Sequence, residues 1–304
     1  MTPVTSDLLR ANPLPSHEET QDKDGRGRVL VVGGSLEVPG GALLAAVGAL
    51  RAGAGKLQVA TCRTIAPHLG LALPEALVLG LPETEAGGIG AESAERVIAR
   101  ADRVDALLVG PGMMDPDATQ ALVAAILAST TCTAIVLDAG ALHGLERQAG
   151  ALRRHAGRVV LTPHAGEMAH LLGVEREAVE AEPLAHARRA AAMLHSVVVM
   201  KGGETTVVTP QGEAWHFTGG TVGLATSGSG DTLAGVVAGL LARGAVPLWA
   251  AVWGVYLHGT AGCVLMQRHG GVGFLARELL AEIPALMAEL EAEIGAKAAP
   301  RSAA

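Results

Sequence analysis

Short apolar runs alternate with longer stretches of helical period along most of the chain. The runs 29–32, 57–60, 76–79, 106–109, 133–137, 158–161 and 196–200 are four or five residues each and rich in Val, Leu, Ile and Ala. Continuous runs of this kind suit strands buried on both faces, and helical patterns such as 41–52 intervene between them. The alternation predicts an α/β fold with a mostly parallel central sheet and helices on both faces. Two more runs, 205–208 and 213–217, flank Pro210, Gln211 and Gly212 and predict a small hairpin at the sheet's edge. Residues 1–27 form a polar, proline-interrupted N-terminal segment, and 296–304 read as a flexible tail. No linker or long repeat divides 28–295, so one domain is expected there.

The ends of these runs are chemically distinctive. Gly33, Gly110, Asp138, His164 and Lys201 each fall at or just past a predicted carboxyl end. Open parallel sheets bind their ligands at that edge.

Composition narrows the classes of function. Of 304 residues, 49% are hydrophobic and 17% charged, which supplies a sizeable core and excludes global disorder. Every long apolar stretch is interrupted by Gly, polar or charged residues, and the first residues lack the pattern of a signal peptide. A cytoplasmic protein with no membrane association is therefore expected. Cys62, Cys132 and Cys263 are odd in number, form no Cys-x-x-Cys and read as buried small hydrophobes in a reducing compartment. A net charge of −7 disfavours nucleic acid as a partner. A phosphate site must then be local, made of backbone amides and one or two cations. With aromatics at only 2%, an adenine ring would rest on aliphatic and glycine surfaces.

The most informative stretch is Gly223-Leu224-Ala225-Thr226-Ser227-Gly228-Ser229-Gly230-Asp231, which opens into an apolar helix of small residues. Small residues leave backbone N–H groups uncovered, and the helix adds partial positive charge at its N-terminus. Gly228, Ser229 and Gly230 thus form a candidate anion loop. Asp231 beside it is either an N-capping residue or a base acting on a hydroxyl during phosphoryl transfer; the helix dipole is expected to keep it ionised. Lys201-Gly202-Gly203-Glu204-Thr205 places a cation and bare backbone after a strand, as a phosphate contact or a surface turn. His164 is a ligand contact or a structural histidine, Glu167 suits the first turn of a helix, and Asp138 is a site carboxylate or a cap.

Familiar alternatives fail. Gly53-Ala54-Gly55-Lys56 lacks the Ser/Thr and the upstream glycine of a P-loop, and Gly33-Gly34-Ser35 does not complete a dinucleotide fingerprint. The 11 histidines include no His-Glu-x-x-His, so no metal ligands are legible.

Taken in order, the motifs resemble a family. They are Gly33-Gly34-Ser35 with Pro39-Gly40, Arg51-Ala52-Gly53-Ala54-Gly55, Gly110-Pro111-Gly112, Leu137-Asp138-Ala139, and Leu161-Thr162-Pro163-His164-Ala165-Gly166-Glu167. Lys201 to Thr205, Gly228-Ser229-Gly230-Asp231 and Tyr256-Leu257-His258-Gly259-Thr260-Ala261-Gly262 follow. From about residue 25 to 284 the chain is similar to the ADP-dependent NAD(P)H-hydrate dehydratases, the carbohydrate-kinase-like half of nicotinamide nucleotide repair. The resemblance implies a ribokinase-like fold and ADP-driven dehydration of (6S)-NADHX or NADPHX. It also implies Asp231 as base, Lys201 to Thr205 and Gly228 to Gly230 on the nucleotide, and Gly41, Ala42, Gly112, His164 and Asp231 on the hydrate. Mg²⁺ with ADP as co-substrate, a separate epimerase as functional partner and a homo-oligomer are expected on the same ground.

Three positions depart from the family pattern. Ser227 stands where Gly is more usual, Gly41 replaces an Ala, and Met113-Met114 replaces Leu-Gly. Two alternatives stay open: a ribokinase-like kinase of a vitamin-precursor alcohol, hydroxymethylpyrimidine or hydroxyethylthiazole, and a non-catalytic nucleotide-binding regulator.

Overall fold

Ten strands form one sheet in the order β1-β10-β9-β8-β7-β6-β5-β2-β3-β4. They are β1 (Thr2–Pro3), β2 (Arg28–Val32), β3 (Lys56–Cys62), β4 (Ala76–Leu81), β5 (Ala106–Val109), β6 (Ala134–Leu137), β7 (Val159–Leu161), β8 (Val197–Met200), β9 (Thr205–Val208) and β10 (Ala214–Phe217). The computed structural model describes residues 1–16, 25–130, 133–155 and 157–298. The seven strands from β8 to β4 in that order pair in parallel. The expected hairpin is β9 and β10, antiparallel to each other, with β9 antiparallel to β8. Strands β5 and β8 are buried at every position, which is why their sequences are continuous rather than alternating.

The polar N-terminal segment joins this architecture. Thr2 and Pro3 pair in parallel with Trp215 and His216, and the helix Ser6–Ala11 buries Leu9 completely. Trp253 Nε1 donates to Asn12 O at 2.9 Å. At the other end the helix Ala276–Ala298 continues three residues into the segment expected as a tail, and 299–304 lie outside the described residues.

Two helices that begin at the carboxyl edge pack backbone to backbone. They are Pro39–Arg51 and Ser229–Ala242. A Cβ on Gly235 would fall 2.1 Å from Ala45 O, and one on Gly239 would fall 2.4 Å from Ala49 O. The two helices therefore approach main chain to main chain along this face. The small-residue character of the second helix is a packing requirement. The helix Pro247–His269 has the length and hydropathy of a membrane span, yet Ala250 to Val255 are buried in the core, where that hydropathy is used. Cys62 is buried and its thiol is pushed up to about 11, chiefly by burial. Cys263, expected to be buried, is only half-buried because it sits on a helix face where its Sγ donates to Gly219 O at 2.8 Å; Cys132 lies outside the described residues.

Candidate functional site

Sheet order brings the chemistry together. Strands β6, β7 and β8 are neighbours, so Asp138, Thr162 and Lys201 emerge side by side at their carboxyl ends. Asp138 is 1% exposed; its Oδ1 accepts from Thr162 Oγ1 at 2.6 Å and from Lys201 Nζ at 3.0 Å. Its side chain makes no cap hydrogen bond to the turn that follows, so the cap alternative for Asp138 is removed. Lys201 Nζ is 3.8 Å from Glu167 Oε2, and the main-chain N of Lys201 donates to Pro163 O at 2.8 Å. This lysine is not on a surface turn. Burial pulls its ammonium towards the neutral form, but the carboxylates of Asp138, Glu167 and Asp231 outweigh that and hold it above its usual value.

The anion loop meets the same cluster. Gly228 is the N-cap of Ser229–Ala242, with φ of +87°, a conformation that glycine adopts without strain. Asp231 is therefore the third helical residue and does not cap. A Cβ on Gly230 would lie 3.1 Å from Lys201 Nζ, so the ammonium rests against the helix's first turn, beside its free N–H groups. The expectation that the dipole keeps Asp231 ionised is corrected by its surroundings. Burial pushes its carboxyl up, Asp138 adds to that, Lys201 pulls back and Glu167 adds again, leaving it at about 7. Burial together with two neighbouring carboxylates outweighs one helix dipole.

His164 does two things. Its Nδ1 accepts from the backbone N of Gly166 at 3.0 Å and of Glu167 at 3.2 Å, while Glu167 Oε2 accepts from His164 N at 2.8 Å. This reciprocal capping box starts the helix Ala165–Leu172. With Nδ1 accepting, the neutral ring carries its hydrogen on Nε2. The side chain is 57% exposed, and its Nε2 lies 3.6 Å from Glu167 Oε1.

A cavity of about 1200 Å³ opens beside this edge and is lined by His164, Lys201, Gly202, Gly203, Glu204, Thr205, Ser229 and Gly230, among others. Across it His216 Nε2 and Glu204 Oε2 are 2.7 Å apart. Gly41, Ala42, Gly112, Gly228 and Asp231 are not among its lining residues. Gly41 and Gly112 instead meet each other, since a Cβ on Gly41 would lie 2.7 Å from Gly112 N. Sequence reasoning missed the Asp138–Lys201 pair and the part Glu167 plays beside it. It also missed His258, whose Nε2 is 3.0 Å from Ser229 Oγ. Each of the two residues visibly ends an apolar run, but their pairing follows from the strand order β6-β7-β8, which the runs alone do not give. Among the described residues no group of three or more His, Cys, Asp or Glu could hold a metal ion.

Comparison with known proteins gives a consistent picture. The family model described as NAD(P)H-hydrate dehydratase matches residues 29–285. The ADP-dependent (S)-NAD(P)H-hydrate dehydratase of Xanthomonas campestris pv. campestris is 50% identical over 94% of this chain and 96% of its own length. A bifunctional NAD(P)H-hydrate repair enzyme from Moorella thermoacetica is 38% identical over 92% of this chain, which spans 53% of that longer protein. Among solved structures, the ADP/ATP-dependent NAD(P)H-hydrate dehydratase of Bacillus subtilis, co-crystallised with ATP/Mg²⁺, matches with a TM-score of 0.80 at 31% identity, over 95% of this chain and 98% of that one. A ribokinase-like superfamily protein from Enterococcus faecalis matches with a TM-score of 0.80 at 27% identity, over 95% and 96%.

Proposed function

The chain belongs to the NAD(P)H-hydrate dehydratase family, and on that premise we propose that it dehydrates (6S)-NADHX or NADPHX at the expense of ADP. The reaction is hydrate plus ADP giving NAD(P)H, AMP and phosphate. Hydroxide leaves a hydrated nicotinamide ring poorly, whereas phosphate leaves well. Asp231 takes the proton of the ring hydroxyl, whose oxygen attacks the β-phosphorus of ADP while AMP departs. Expulsion of phosphate and loss of the adjacent ring proton then restore the dihydropyridine.

One observation carries this reading: a carboxylate with a pKa of about 7 on the first turn behind the anion loop, beside Lys201. A base works best with a pKa near the working pH. The uncovered N–H groups of Gly228, Ser229 and Gly230 stabilise charge on the transferring group, and Lys201 bridges to the nucleotide phosphates. Lys201 to Thr205 hold the AMP portion. Gly112, His164 and the Gly41–Ala42 backbone hold the hydrate.

Magnesium fits this site as an ion that arrives with the nucleotide. Asp138 is already engaged by Lys201 and Thr162, and the chain offers no preformed cage among its described residues. Phosphate oxygens and water would supply most ligands, and the ion would neutralise phosphate charge there. A cytoplasmic homo-oligomer working with a separate epimerase completes the proposal.

The test is absorbance at the reduced-nicotinamide band, with prepared hydrate and either ADP or ATP. Recovery of absorbance with ADP, faster than with ATP, is expected. No recovery, together with phosphorylation of a pyrimidine or thiazole alcohol, would make the chain a kinase. Nucleotide binding without either turnover would make it a regulator.

A further inference from the structure

The nucleotide cavity contains a buried titratable group to which no step above assigns a role. His258, on the helix Pro247–His269, is 8% exposed, and its Nε2 lies 3.0 Å from Ser229 Oγ. Ser229 opens the helix behind the anion loop, is 5% exposed, and lines the cavity together with His258. The main chain of this turn has its own support, because Thr232 Oγ1 donates to Ser229 O at 2.6 Å.

A hydroxyl helps an anion only when its proton faces that anion. Serine has one O–H and two lone pairs. If the imidazole accepted from Ser229, the hydroxyl would turn lone pairs towards a phosphate and repel it. If Nε2 carries the hydrogen, the ring donates to Oγ and the serine proton is free to point into the cavity. Burial pushes the imidazole down to about 4, and Lys201 acts in the same direction, so the ring stays neutral at neutral pH. A base that weak would not deprotonate Ser229 usefully, so the pair is not a nucleophile and its activator.

We propose that His258 is a positioning residue whose Nε2–H fixes the Ser229 hydroxyl so that its proton is presented to a phosphate oxygen of the bound nucleoside diphosphate. The inference rests on the nucleotide reading of the cavity given above. It requires that the two side chains act as one unit, and that the effect appears on ADP rather than on the hydrate.

The experiment is a double-mutant cycle read by ADP calorimetry without hydrate, with steady-state kinetics alongside. A hydrogen bond to a charged group is worth about 1.5–3 kcal/mol, so His258→Leu and Ser229→Ala should each weaken ADP binding by roughly ten- to a hundredfold. The KM for hydrate should stay within about twofold, as expected of a contact that acts on the other substrate. The double variant should bind ADP no more weakly than Ser229→Ala alone, and His258→Gln, which can place an amide N–H near Nε2, should recover most of the affinity. Independent losses that multiply in the double variant, or normal ADP affinity in either single variant, would overturn the proposal. Should His258→Leu fail to fold, Ser229→Ala and His258→Gln decide the matter by the same criteria. A wild-type protein that binds ADP but leaves the hydrate unchanged would overturn the proposed reaction and leave this inference standing. One that binds no ADP would overturn both.

Discussion

At the scale of single residues, the charge cluster makes two sharp predictions. Asp231 has a pKa of about 7, so the proton acceptor is lost as the pH falls below that value. The kcat/KM should rise with pH through about 7 and then level. Asp231→Asn should remove that limb and lower turnover by about 10²- to 10⁴-fold. The same shift fixes the sign of its effect on stability. A carboxyl whose pKa is raised on folding is bound to its proton more tightly in the folded state, so stability is lost as pH rises from about 4 to 7. At pH 8 the Asn variant should therefore melt at or above wild type; a lower Tm would mean that the carboxylate is a structural support. Lys201 behaves oppositely. Read from sequence alone, a lysine at a strand end contributes little to the core, so Lys201→Ala should leave the Tm unchanged. The pairing with Asp138, 1% exposed, reverses that expectation. Removing one partner of a buried pair typically costs about 3–5 kcal/mol. Lys201→Ala should lower the Tm and raise the KM for ADP, and Asp138→Asn in the same chain should restore part of the Tm and none of the ADP affinity. Equal recovery of both would show that the lysine acts only through the fold.

At the scale of elements, the strands were legible because burial on both faces leaves an unmistakable continuous pattern. Residues 106–109 and 205–208 were located to the residue, and the other long runs to within a residue or two at either end. The helix Ser229–Ala242 was legible too, but not the reason for its composition. Its glycines admit the backbone of Pro39–Arg51, and that contact fixes the two helices against each other. Gly239→Ala would place a Cβ 2.4 Å from Ala49 O and 2.8 Å from Ala52 Cβ. Overpacking of this kind costs about 1–3 kcal/mol, so a Tm drop of several degrees is expected, with a raised KM for hydrate as Gly41 shifts relative to Asp231. Gly150→Ala is the control. Its Cβ meets nothing within 4 Å, and it lies inside the helix Ala149–Arg154, where alanine gains about 0.5–1 kcal/mol. If both substitutions had the same small effect, close helix packing would not be what the glycines are for.

For the molecule as a whole, the unread parts were those that depend on elements far apart in sequence. Asp138 and Lys201 are 63 residues apart, and only the strand order β6-β7-β8 makes them a pair. Asp231 owes its raised pKa first to burial and then to the carboxylates of Asp138 and Glu167, against the pull of Lys201, an environment assembled from other elements that no local pattern encodes. The N-terminal segment went unread for the same reason. A two-residue strand and a six-residue helix carry too few apolar positions to show a period, yet Val4, Leu9 and Leu14 are all buried in the common core. That segment closes the sheet beyond β10, whose His216 pairs with Glu204 in the cavity beside Lys201. Leu9→Ala tests whether it belongs to the cooperative unit. Leu9 is completely buried, and truncating such a leucine costs about 2–5 kcal/mol. The Tm should fall accordingly, and amide exchange should quicken first along β10 and β9, while β6 and β5 stay protected further into the sheet. ADP affinity should weaken with the loosened hairpin. If the variant melted like wild type, with exchange in β10 unchanged, residues 1–16 would be packed on the sheet without supporting it, and the cavity beside Lys201 would owe nothing to them.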